Sequence, residues 1–243
     1  MSILESALDV GRDAVRRAAQ VCLGVLAEAP AAPDAMAKLG KEPVTIADYG
    51  SQAVVLEAVS RMFPDHAVVA EEGSAHLVEH AGDDGAEQIV RLVGDALRRT
   101  VDLGDVAGWI DHTGRGGDLT WVIDPIDGTK GFLRRQQFAI AVGLLADGEV
   151  VGGVLGCPHF GGGTLYWAGR GLGAWAEGLH GGASRRVSVS DTDVSGARTL
   201  GSVESAHGDP ALVTAVVDHL DLGGGMVRID SQVKYGAVAD GQA

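Results

Sequence analysis

The sequence predicts a mixed protein, α+β or α/β, in which helices and strands lie in layers. Three observations predict it. Apolar residues recur at helical spacing in several long segments. Between them lie short runs rich in Val, Ile and Leu, of strand length. Glycine is abundant, at 37 of 243 residues, without a collagen-like period, so the elements are joined by many tight turns. The length allows one large domain or two smaller ones. With 46% hydrophobic but only 5% aromatic residues, the core must rest on Ala, Val, Leu and Ile.

In chain order, Leu4, Leu8, Val15, Ala18, Cys22 and Leu26 make one helical face, and the prolines at 30 and 33 end it. A second helix is expected over 47–62, with Tyr49, Ala53, Leu56, Val59 and Met62 on one side and Pro64 closing it. Val68-Val69-Ala70 reads as a strand with Glu71-Glu72 at its end, and residues 73–86 read as a surface loop. A helix is expected over 87–99, then a linker rich in Gly and Asp. Trp121-Val122-Ile123 reads as a buried strand, and Asp124 to Thr129 as a turn, because Pro125 fixes one φ and Gly128 frees another. Strands over 138–145 and 150–155 flank the Asp147-Gly148 hairpin signal. Further strands are expected over 164–167, 173–175, 187–189, 199–202 and 227–229, with helices over 210–220 and 231–239. A composition shift near 158–163 predicts a division into an N-terminal unit, 1–157, and a C-terminal unit, 158–243.

The formal net charge of −14 argues against a general nucleic-acid binder, which needs a basic footprint. It leaves room for a small phosphorylated ligand where a metal ion inverts the local field. Cys22 and Cys157 fit no zinc spacing and read as reduced, buried thiols, with a disulfide as the other reading. No apolar run is long enough to cross a membrane, and the first 17 residues carry Glu5, Asp9 and Asp13 with no apolar stretch between, so no signal peptide is expected. The expected compartment is the cytoplasm, with no membrane or nucleic-acid partner, and the expected state a monomer.

Three segments carry chemistry. Asp124 and Asp127 flank a proline at a strand end. Two carboxylates held this closely repel each other unless a cation sits between them. Carboxylate and carbonyl oxygens are hard ligands of the kind Mg²⁺ takes. The alternative is an Asx turn with solvated acids. Glu71-Glu72, taken alone, is an ordinary exposed pair. Thr45-Ile-Ala-Asp48, taken alone, is a helix-capping device.

Taken together and in order, EPVTIADYGSQAV, FPDHAVVAEE and WVIDPIDGTKGFLRRQQFAIAVGLL, followed by GVLGCPHF, AGRGLGAW, VESAHGD and DSQVKYGAVADGQA, resemble the inositol monophosphatase superfamily over the whole chain. Three features resemble its 3'(2'),5'-bisphosphate nucleotidase branch: the TKGFLR continuation at 129–134, the long helix-bearing stretch between Glu72 and Trp121, and Asp230-Ser231-Gln232-x-Lys234-Tyr235.

The resemblance implies a layered αβαβα sugar-phosphatase fold and Mg²⁺, two or three ions in the family. It maps metal ligation onto Glu71, Asp124, the Ile126 carbonyl and Asp127. It maps the pair that orients and activates the attacking water onto Asp48 and Thr129. Substrate contacts fall on Asp127, Gly128 and Thr129 for the scissile phosphate, and on His207, Ser231 and Lys234 for the rest of the nucleotide. Arg134 and Arg135 are expected to face solvent or the mouth of the site. The implied reaction is hydrolysis of the 3'-phosphate of adenosine 3',5'-bisphosphate, with lithium sensitivity and a place in sulfur metabolism. An inositol or other sugar phosphate is the alternative substrate. The family's later WDxAAG-type segment, which supplies a shared metal ligand, has no counterpart up to Ala243. The expectation is therefore an incomplete metal site and C-terminal sheet, and an inactive nucleotide-binding fragment is the third reading.

Overall fold

The computed structural model describes residues 1–30, 42–203 and 210–243. The helices are α1 (Ile3–Glu28), α2 (Glu42–Met62), α3 (Leu77–Leu97), α4 (Leu103–Ile110), α5 (Thr129–Leu133), α6 (Pro210–His219) and α7 (Val233–Ala239). The strands are β1 (His66–Ala70), β2 (Gly116–Asp127), β3 (Ala139–Ala146), β4 (Glu149–Cys157), β5 (Thr164–Gly169), β6 (Gly173–Gly178), β7 (Arg185–Arg186), β8 (Thr199–Gly201) and β9 (Met226–Arg228). Strands β1 to β7 form one sheet in chain order. β1 lies parallel to β2, and every later neighbour is antiparallel. β8 and β9 form a small parallel pair. The large sheet runs unbroken from β4 into β5, across residues 157 and 158.

A capping box starts α1: Ser2 Oγ accepts from the Glu5 amide at 3.2 Å, and Glu5 Oε2 accepts from the Ser2 amide at 2.6 Å. The apolar face of α1 lies on the sheet, where Gly11 brings the helix backbone up to Val154 and Trp121. Trp121 is fully buried, and its Nε1–H donates to His66 Nδ1 at 3.2 Å. α1, α2 and α3 pack together, so one sheet face carries the main core. A smaller core of Cys157, Tyr166, Ala176, Val233 and Ala237 lies under α7. Both cysteines are free and buried, as their apolar settings suggest.

A buried ion cluster ties α1 to β6. Arg12 donates two bonds to Glu177, at 2.9 and 2.8 Å, and Arg16 a third at 2.5 Å. Ser184 Oγ donates a fourth, at 2.6 Å.

Several elements depart from the sequence expectation. α2 begins at Glu42 rather than near 47, because Pro43 is tolerated in a first helical turn. Thr45 and Asp48 therefore lie inside the helix and are not its caps. The expected loop at 73–86 becomes mostly helix, kinked at Gly82, where φ is +70°. α4 replaces part of the expected linker and starts with a capping box of Asp102 and Asp105. Residues 187–189 form no strand, and the edge strand is Arg185–Arg186. Val187 is buried, and its amide donates to the Ala174 carbonyl of β6 at 2.9 Å. The segment Asp124 to Asp127 is not a turn but the end of β2. The hairpin at Asp147-Gly148 is as expected, with φ of +50° and +80°.

Candidate functional site

The end of β2 builds the site. In a regular strand, residues three apart point to opposite faces. Here Asp124 pairs with Ala141 and Asp127 with Ala139, so two residues, Pro125 and Ile126, face one on β3. This bulge turns Asp127 to the side of Asp124. Pro125 fits there because the bulge interrupts the ladder that its missing N–H could not serve. Gly128 then takes φ +92°, and Thr129 opens the short helix α5. The Ile126 amide bonds to the Asp124 carboxylate.

β1 ends beside β2, which brings Glu71 and Glu72 to the same sheet end as Asp124. Asp48 reaches this cluster from α2. The crowding is visible in the acidities. Asp48 is pushed up to about 8 by burial first, then by the charges of Glu72, Glu71 and Asp124. Asp124 is pushed up to about 6 by burial, Asp127 and Glu71. Glu71 is exposed as a residue, but loss of solvent around its carboxyl, then Glu72 and Asp127, raises it.

A cleft of about 460 Å³ opens over these groups. Glu71, Asp124, Ile126, Asp127, Gly128 and Thr129 border it on one side, and Ser231 and Lys234 on the other. Asp48 is not in its lining; it stands behind the acids. His207 lies outside the described residues. Across the cleft, the Gln232 amide donates to Asp127 Oδ2. Ser231 takes φ +64°, and its side chain sits against Gly128. The Lys234 ammonium donates to the Ser231 carbonyl at 2.6 Å. A larger apolar hollow of about 740 Å³ on the adjoining sheet face meets this site at Asp124, Gln232 and Tyr235; its further titratable groups are Tyr166 and Arg170, and it adds no carboxylate. The chemistry belongs to the smaller, polar cleft.

Sequence reasoning missed Ser51 and Gln52, and it did not foresee the partners of Arg134, Arg135 and Asp230. Ser51 Oγ donates to the Pro125 carbonyl at 3.1 Å, and Gln52 bonds both backbone groups of Glu72. Arg134 pairs with buried Asp230 at 2.6 Å. Arg135 does not face the site mouth freely; its Nη2 donates to the Ala29 carbonyl at 2.7 Å. The signal for Asp230 was its place in the DSQxKY string.

The donor set fits a hard divalent cation in kind. It consists of carboxylates and a backbone carbonyl, and Asp124 Oδ1 is buried with no hydrogen-bond partner. Among the described residues no three acidic, His or Cys side chains are already gathered at metal-ligand spacing.

Comparison with known proteins places the chain. Residues 4–243 match the model of the inositol monophosphatase family. The chain is 38% identical over 267 aligned residues to an Arabidopsis thaliana protein named 3'(2'),5'-bisphosphate nucleotidase 1, covering 98% of this chain and 75% of that one. It is 36% identical to an Oryza sativa protein named 3'(2'),5'-bisphosphate nucleotidase, covering 96% and 73%. Among solved structures it is similar in fold to Mycobacterium tuberculosis SuhB, with a TM-score of 0.64 at 21% identity over 98% of this chain and 75% of that one. The layered α/β fold is that of inositol monophosphatase-like proteins. The chain belongs to the inositol monophosphatase family, and it is a phosphatase of that family.

Proposed function

We propose that this protein is a Mg²⁺-dependent 3'(2'),5'-bisphosphate nucleotidase that removes the 3'-phosphate of adenosine 3',5'-bisphosphate, giving AMP and phosphate. One observation carries the reading: a single cleft sets the acids of β1 and β2 opposite Ser231 and Lys234, so a ligand with two separated phosphates can engage both ends. The names of the Arabidopsis and rice relatives support it.

Glu71, Asp124, the Ile126 carbonyl and Asp127 would hold Mg²⁺, which offsets phosphate charge and lowers the pKa of a bound water. The chain's own groups do the rest. The Thr129 hydroxyl aims the attacking water, and Asp48 takes its proton. Burial first, then the charges of Glu72, Glu71 and Asp124, push Asp48 up to about 8, so offsetting the charge of those acids favours its action as a base. The amides of Gly128 and Thr129 face the scissile phosphate, and Lys234 serves as a point charge for the second phosphate. No covalent phosphoenzyme is needed: water oxygen joins phosphorus, and the 3'-oxygen leaves with a proton.

The test is phosphate release from adenosine 3',5'-bisphosphate and from inositol 1-phosphate, each with and without Mg²⁺. Preference for the nucleotide, dependent on Mg²⁺, is the expected result. Preference for the inositol ester overturns the substrate assignment. Lithium is expected to inhibit.

A further inference from the structure

The acids at the end of β1 have no ladder to hold them. The pairing of β1 with β2 ends at Ala70 and Ile123, so Glu71 and Glu72 hang beyond the last strand partner. A chain end of that kind is free to rotate about its peptide planes, and a ligand carried on it would be poorly aimed. Gln52 removes that freedom. Its side chain is fully buried on α2. Its Nε2 donates to the Glu72 carbonyl at 2.6 Å, and its Oε1 accepts from the Glu72 amide at 2.9 Å. A side-chain amide thus takes the place of a neighbouring strand, satisfying both backbone groups of one residue. The preceding residue, Ser51, is also fully buried, and its Oγ donates to the Pro125 carbonyl inside the β2 bulge. Both lie within four residues of Asp48 on the same helix.

We propose that Gln52 is a positioning residue for the metal-binding acids: it fixes the peptide planes around Glu72, and so the direction of Glu71, relative to Asp48 and Asp124. The proposal rests on the metal-dependent reading above. A buried amide satisfied by a single backbone residue has little reason to be polar except to hold that residue, since an apolar side chain of the same size would fill the space.

The test is Mn²⁺ binding to the 243-residue chain, measured by calorimetry, with no turnover required. Gln52→Met keeps the volume and removes both bonds; Mn²⁺ affinity is expected to fall by about 10-fold or more. Gln52→Asn keeps the amide but is one methylene short, and is expected to weaken binding as well. It also decides the matter if the Met variant does not fold. Val55→Ala, a truncation of a fully buried residue in the same helix, is expected to lower the melting temperature while leaving Mn²⁺ affinity at the wild-type level. Wild-type affinity in Gln52→Met or Gln52→Asn, or an equal loss in Val55→Ala, overturns the positioning role and leaves the metal reading intact. A wild-type chain that binds no Mn²⁺ at millimolar concentration overturns both.

Discussion

Arg134 and Asp230, 96 residues apart in sequence, form a 2.6 Å ion pair that fastens the start of α7 to the end of α5. Asp230 is buried, and its other oxygen accepts from the Val203 amide at 3.2 Å. Removing Arg134 leaves that carboxylate buried and underpaired. Arg134→Ala is expected to lower stability by about 1–3 kcal/mol in denaturant titration. Because Ser231 and Lys234 follow directly, nucleotide affinity is expected to fall in the same variant, with Arg134→Lys falling between it and the wild type. Equal stability of Arg134→Ala and wild type would show that the pair is dispensable.

Glu177 predicts an acid limit. Burial tends to raise its pKa, but the bonds from Arg12 and Ser184 and the charges of Arg16 and Arg12 outweigh this and lower it. A lowered carboxylate contributes stability that is present above its unfolded value of 4.5 and lost as pH falls through the folded value. Melting temperature should therefore drop as pH falls below about 4.5. Glu177→Gln should be less stable than wild type at pH 7, with the gap narrowing in acid.

The acids of the cleft predict the opposite slope. Asp48 and Asp124, raised to about 8 and about 6, hold their protons more tightly folded than unfolded. Their contribution is fully present below the unfolded value of 3.8 and is lost as pH rises toward 8. The metal-free chain should lose melting temperature from pH 5 to pH 8 through these groups, and Asp48→Asn should flatten the decline. Added Mg²⁺ should raise the melting temperature more at pH 8 than at pH 5. A uniform Mg²⁺ effect across that range would argue against a shared cation among these acids.

Substitution of the acids themselves tests the chemistry. Asp124→Asn and Asp127→Asn are expected to lower Mg²⁺-dependent phosphate release by about 100-fold or more, as loss of a group that stabilises transition-state charge does. Circular dichroism should show the fold retained.

Gly131 explains a residue of the TKGF string by packing. A Cβ there would lie 2.0 Å from the Gln137 carbonyl oxygen, a backbone atom with little room to yield. Gly131→Ala is expected to cost about 1–3 kcal/mol, read by thermal melting.

The acid motifs were legible in the sequence because their strings are local: WVIDPIDGT and the paired glutamates announce themselves within a few residues. The helix α1, with its clean apolar stripe, was legible for the same reason; α2 is buried on nearly every side, and its start was not. Gln52 was not, since it acquires meaning from a partner 20 residues away; Asp230 stood in the DSQxKY string, but its pairing with Arg134, 96 residues away, did not show there. α4 was hidden in a stretch that reads as linker, because its Gly and Asp content outweighed the capping pair of Asp102 and Asp105. Val187 to Val189 misled in the other direction: Val187 is buried in the small core with Val233 and Ala237, but Val189 is exposed and no strand forms.

The surplus residue on β2 has a consequence for how such motifs are recognised. Two carboxylates that must meet at the end of a strand, yet stand an odd number of residues apart, cannot both come from a regular pleat. The spacing of Asp124 and Asp127 therefore fits either the turn expected from the sequence or a strand with an inserted residue, and β2 has the second. An even spacing would let the pleat present both acids without it, but would leave the intervening carbonyl committed to the ladder. The odd count takes Pro125 and Ile126 out of the regular ladder and leaves Ile126 at the wall of the cleft beside the two acids.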